Sequence, residues 1–100
     1  MKYSYNRRCN ARLSALGAGT WSMGGRNDYG LVYGDARKRS ESVGALHALI
    51  DGGVNVIDTS PVYGVYGTAE SLVGLALEEV DRDSIFLVTK FGDYCDAETG

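Results

Sequence analysis

Val54-Asn55-Val56-Ile57-Asp58-Thr59-Ser60-Pro61-Val62-Tyr63-Gly64 is a β-branched run that breaks into a polar turn. The run suits a strand covered on both faces. It ends on a carboxylate, Asp58, and a phenol, Tyr63, follows five residues later. Two other apolar runs end in the same manner: residues 13–19 run into Thr20-Trp21, and residues 85–88 run into Thr89-Lys90. If the three are parallel strands, those polar groups collect at one end of one sheet, where α/β enzymes place their active sites. The pattern points to an acid–base site built around a tyrosine.

What lies between the runs supports parallel strands. Ser40 is a suitable N-cap for a helix over residues 41–51, with Val43, Leu46 and Ile50 on one face and Gly52-Gly53 as its stop. Ala69, Leu72, Val73, Ala76, Leu77 and Val80 form the core-facing stripe of a second helix over residues 68–80. Gly74 interrupts that helix, which suggests close packing there. The glycines of the first run likewise suit close approach by another backbone. The order strand–helix–strand–helix–strand is the signature of right-handed βαβ crossovers. Upstream, residues 2–6 and 10–14 read as a hairpin around Arg7-Arg8-Cys9, and residues 22–39 as a long polar, glycine-rich loop.

Composition narrows the function classes. At 100 residues and 44% hydrophobic, the chain has the size of one domain. No apolar stretch approaches the roughly 18 residues of a membrane span, and the amino terminus lacks an apolar signal core, so the expectation is a cytoplasmic protein without membrane insertion. The net charge of −3 hides a basic front: residues 1–40 carry eight Lys/Arg against two acids. Those charges are scattered over a hairpin and a loop without a nucleic-acid-binding motif, so they read as solvated surface and nucleic acid is not expected as a partner. Cys9 and Cys95 form no CxxC pair and read as free thiols. His47, the single histidine, falls mid-helix and reads as structural, and no metal constellation is present.

The chemistry rests on three groups. A carboxylate at the end of a buried strand is costly to desolvate without a cation, and Lys90 ends the neighbouring run. Such a pair can simply tie two strands together. Tyr63 adds a second reading: a phenol has an ordinary pKa of about 10, and a nearby ammonium lowers it. A Tyr beside a Lys that is held by an Asp makes a general acid. Tyr63 is also one of seven tyrosines, and Tyr66 competes with it on spacing alone. Gly17-Ala18-Gly19-Thr20-Trp21-Ser22 fails the G-x-G-x-x-G dinucleotide pattern, because Ser22 stands where glycine is required.

Leu16-Gly17-Ala18-Gly19-Thr20-Trp21, Asn55 to Gly64 as quoted above, Ala69-Glu70-Ser71-Leu72-Val73-Gly74-Leu75-Ala76-Leu77 and Val88-Thr89-Lys90-Phe91-Gly92 together resemble the aldo-keto reductase family. The Trp21-Ser22-Met23-Gly24-Gly25 variant looks more like its bacterial general oxidoreductase branch than the vertebrate steroid or aldose reductases. The resemblance implies an α/β fold, the first three βα units of a (β/α)8 TIM barrel preceded by the hairpin. It implies NADPH as cofactor and reduction of an aldehyde or ketone to an alcohol. It makes Asp58, Tyr63 and Lys90 catalytic, with Tyr63 the proton donor to the carbonyl and Lys90 the group that lowers its pKa. It sets Gly19, Thr20, Trp21 and Asp58 against the nicotinamide, and Trp21 and Tyr63 in the substrate pocket. Glu70 matches a position with a structural role.

A full barrel takes about 250 residues, so residues 1–100 are expected to be its amino-terminal part, truncated after the third strand. The family's catalytic histidine would then fall beyond Gly100. Two other readings follow from the same resemblance. One is a non-catalytic regulatory protein on this scaffold, similar to potassium-channel beta subunits. The other is an inactive fragment with exposed strand edges.

Overall fold

The computed structural model describes residues 1–25, 39–64 and 67–92. Residues 26–38, which make up most of the expected loop, lie outside the described set, as do Tyr66 and Cys95. The fold is mixed α/β. Strands β1 (Tyr3–Asn6) and β2 (Ala11–Ser14) form an antiparallel hairpin, with Tyr3 opposite Ser14 and Asn6 opposite Ala11. Its turn closes on Asn6, whose side-chain oxygen accepts from the Arg8 and Cys9 amides at 2.9 and 3.3 Å, and on Asn10 at φ 50°. Asn tolerates that left-handed conformation better than most residues.

A separate sheet holds three parallel strands in the order β3 (Ala18–Gly19), β4 (Val56–Asp58), β5 (Phe86–Val88). Helix α1 (Arg39–Asp51) joins β3 to β4, and α2 (Thr68–Leu77) joins β4 to β5. The core lies between sheet and helices: Ala18, Leu46, Val54, Ile57, Val73, Ala76 and Ile85 are buried, with Met23, Val43, Ile50, Leu77, Val80 and Leu87 packed around them. Val43, Leu46 and Ile50 of the first expected stripe and Val73, Ala76, Leu77 and Val80 of the second face this core, while Ala69 and Leu72 are buried beside it. Among the described residues no helix is long and apolar enough to cross a membrane.

Five local expectations are revised. The run over residues 13–19 does not form one strand. Leu13 and Ser14 belong to the hairpin, and β3 is only Ala18–Gly19. Ser14 is captured by Asn55: its amide donates to the Asn55 Oδ1 at 2.8 Å, and its hydroxyl accepts from the Asn55 amide at 3.1 Å. Ser40 lies inside α1 rather than capping it, and α2 stops at Leu77, short of Val80. Residues 21–24 form a 3-10 helix where a loop was expected. Gly74 is exposed, and a Cβ there would meet nothing within 4 Å, so close packing does not explain it.

The end of α1 follows the expected glycine stop in detail. The Val54 amide reaches back to the Leu49 carbonyl at 3.0 Å and the Gly53 amide to Ile50 at 2.9 Å, with Gly53 at φ 101°. This is the Schellman arrangement, in which a left-handed glycine satisfies the last helix carbonyls. It turns the chain straight into β4 and so sets where Asp58 emerges.

Candidate active site

The parallel register brings the three strand ends level. Gly19 pairs with Asp58, and Asp58 pairs with Val88. Beyond the register, the Thr20 amide and hydroxyl both donate to the Asp58 main-chain carbonyl, at 3.1 and 2.9 Å. The Thr59 amide donates to the Val88 carbonyl at 2.8 Å. These bonds carry the sheet one residue further at the rim and hold the backbone under the Asp58 carboxylate.

Lys90 leaves β5 and turns back over that carboxylate. Its ammonium donates to the two Asp58 oxygens at 3.0 and 3.1 Å and to the Thr59 carbonyl at 2.7 Å. An ammonium has three donors, and all three are directed. The Tyr63 hydroxyl donates to Asp58 Oδ2 at 3.4 Å, near the long limit for such a bond. The Lys90 nitrogen also stands 4.7 Å from the Tyr63 ring centroid, within cation–π range. Burial, the largest single influence, pulls the Lys90 pKa down. Its contacts with Tyr63 and Asp58 outweigh that, and the net direction is above the ordinary 10.5.

The two side chains of the ion pair are each 45% exposed. Pairs so accessible to water contribute at most about 1 kcal/mol to folding, so strand-tying alone is a weak account of the arrangement. Asp58, Tyr63 and Lys90 come from β4, from the turn after it and from the residues after β5, and they meet at one rim facing solvent.

The remaining expected site residues divide. Thr20 is fully buried, and its hydroxyl bond to the Asp58 carbonyl makes it a support for the strand end. Trp21 opens the 3-10 helix at the same rim and is 44% exposed. Gly19 is exposed, and a Cβ built there would meet nothing within 4 Å. That bare backbone, paired with Asp58, leaves an open face at the rim. Two features had no sequence signal. The Thr59 carbonyl is a backbone group that any residue carries. The Thr20 tie depends on a register that residue types do not specify.

The model of the aldo/keto reductase family matches residues 15–99. Among characterised proteins, the chain is 34% identical over 91 residues to aldo-keto reductase YhdN of Bacillus subtilis, covering 90% of this chain and 25% of that protein. It is 42% identical over 78 residues to methylglyoxal reductase YeaE of Escherichia coli, covering 78% of this chain and 24% of the relative. It is also 34% identical over 80 residues to the NADH-specific methylglyoxal reductase of Escherichia coli, covering 80% and 23%. The crystal structure of PA4992 from Pseudomonas aeruginosa, a candidate aldo-keto reductase, superposes with a TM-score of 0.66 at 29% identity, over 87% of this chain and 29% of that one. The chain spans about a quarter of the length of the curated relatives it matches.

Proposed function

The chain belongs to the aldo/keto reductase family, and from that membership we propose that its protein reduces a small aldehyde or ketone to an alcohol, with Tyr63 as the proton donor. The observation that carries this reading is the convergence of Tyr63, Lys90 and Asp58 at one solvent-facing rim. In this proposal the three-stranded sheet is the opening part of a (β/α)8 barrel, and its rim faces the barrel's catalytic end. Gly19, Trp21 and Asp58 would hold the nicotinamide of NADPH, on the open backbone described above. The chemistry that group supplies when bound is a hydride for the carbonyl carbon.

The protein's own residues then have defined tasks. Trp21 walls one side of the pocket. The Tyr63 hydroxyl leaves Asp58 Oδ2 and gives its proton to the carbonyl oxygen as negative charge develops there. Lys90 keeps its ammonium charge throughout, because its pKa stands above the ordinary 10.5. Its position against the Tyr63 ring stabilises the phenolate that forms, and Asp58 holds it in place. Water then returns the proton to Tyr63.

Two relatives are named methylglyoxal reductases, one of them NADH-specific, which makes methylglyoxal the first substrate to try and both cofactors the comparison to run. The complete protein, given methylglyoxal, is expected to oxidise NADPH in a carbonyl-dependent reaction, and faster than NADH. Faster turnover with NADH would overturn the cofactor assignment. Absence of carbonyl-dependent oxidation with either cofactor, across a panel of small aldehydes and ketones, would overturn the reductase reading.

A further inference from the structure

Two glycines meet backbone to backbone between the turn that carries Trp21 and the turn that carries Tyr63. A Cβ built on Gly24 would lie 2.6 Å from the Gly64 amide nitrogen and 2.6 Å from the carbonyl carbon and oxygen of Tyr63. Side-chain carbons do not approach backbone so closely. Gly64, at φ 78°, faces the same contact from the other side: its own Cβ would run into the Gly24 backbone. Both residues are buried. The φ of Gly24 is not positive, so turn conformation does not demand glycine there, and the close approach is what it provides.

The contact closes a loop of constraints around the acid. Thr20 is bonded to the Asp58 carbonyl, and the 3-10 helix starts from Thr20, whose carbonyl accepts from the Met23 amide at 3.0 Å. The helix delivers Gly24 onto the main chain of Tyr63. From the other side, the Tyr63 amide is held by the Ser60 carbonyl at 3.1 Å, and the Tyr63 carbonyl receives the Ala69 amide at 3.1 Å. The Tyr63 hydroxyl, 3.4 Å from Asp58 Oδ2, has little distance to lose. A methyl group at residue 24 would push the Tyr63 backbone away by about 1 Å, a displacement that costs an enzyme up to about a hundredfold in rate.

We propose that Gly24 is a positioning residue: lacking a side chain, it seats the Trp21 turn directly on the Tyr63 main chain and so holds the Tyr63 hydroxyl against Asp58. The proposal rests on the role given to Tyr63 above. The test uses the complete protein and two variants, Gly24→Ala and, as control, Gly74→Ala, where a Cβ meets open space. Gly24→Ala is expected to lower kcat per folded molecule by about ten- to a hundredfold, while the KM for methylglyoxal and the cofactor affinity stay within about twofold. Gly74→Ala should keep the wild-type kcat. A wild-type kcat per folded molecule in Gly24→Ala, whatever its melting temperature, would mean a merely structural glycine and overturn the proposal.

A crystal structure of the complete wild-type protein provides a test that does not depend on the variant folding. Backbones of Gly24 and Gly64 in van der Waals contact are expected, and their separation by a layer of side chain or water would overturn it. If Tyr63→Phe retained full turnover, the functional reading would fail on its own account. The Tyr63 to Asp58 distance in Gly24→Ala crystals would still decide the positioning claim, supported if lengthened and overturned if unchanged.

Discussion

Lys90 directs its three N–H bonds at the two oxygens of Asp58 and at the Thr59 carbonyl, and lays its charge against the Tyr63 ring. These contacts stabilise the charged form, so its folded-state pKa lies above 10.5. A raised pKa on a cation means that the stabilisation is fully present at neutral pH and disappears as pH climbs through the folded value. Lys90→Met is therefore expected to cost at most about 1 kcal/mol at pH 7, with wild type and variant converging in chemical denaturation above pH 10.5. A cost that persisted unchanged into strong alkali would show that packing of the lysine stem, not its charge, is what matters. Asp58 and Lys90 were legible because a charge at the end of an apolar run is conspicuous. The choice of Tyr63 was legible only through the motif around it. Its separation from Asp58 depends on how Pro61 and Val62 turn, and residue types do not encode that distance.

At the scale of elements, Asn55 joins two parts of the fold that lie about forty residues apart along the chain. Its side chain accepts from the Ser14 amide and donates to the Arg12 carbonyl at 2.8 Å, binding the hairpin to the start of β4. Asn55→Ala would remove both bonds and leave the amide of buried Ser14 unpartnered. The expected cost is about 2 kcal/mol, read by denaturant unfolding, with earlier proteolytic cleavage in the hairpin than elsewhere. Full stability in the variant would show that Tyr3, whose hydroxyl donates to the Gly53 carbonyl at 2.9 Å, holds the hairpin by itself. Helix α2 illustrates a different limit of the sequence. Its apolar stripe continues to Val80, but the Glu78 and Val80 amides bond to Leu75 and Leu77, three residues back, so the last turn tightens and the helix ends. His47 Nε2 meets the Ala76 carbonyl at 2.7 Å. The histidine, expected to be structural, links α1 to the end of α2. Periodicity identified both helices because burial of one stripe dominates their energetics, whereas their ends are decided by such long-range partners.

Across the whole molecule, two crossovers bring side chains from residues 58, 63 and 90 to a single rim, and the sequence announced this through repeated strand-then-polar endings. The broad architecture was legible for that reason. The split of the first apolar run was not, because a continuous run carries no marker of where one strand stops and the next begins. Val88 at the end of β5 is 46% exposed and Phe91, three residues beyond it, 98%, in a chain that spans about a quarter of its relatives' length. Chemistry at this rim therefore has to be measured in the complete protein. The decisive measurement is carbonyl-dependent oxidation of reduced nicotinamide cofactor by Tyr63→Phe, alongside fluorescence titration of cofactor binding. The account predicts turnover lower by about a hundredfold or more with cofactor affinity unchanged; turnover equal to wild type would contradict it.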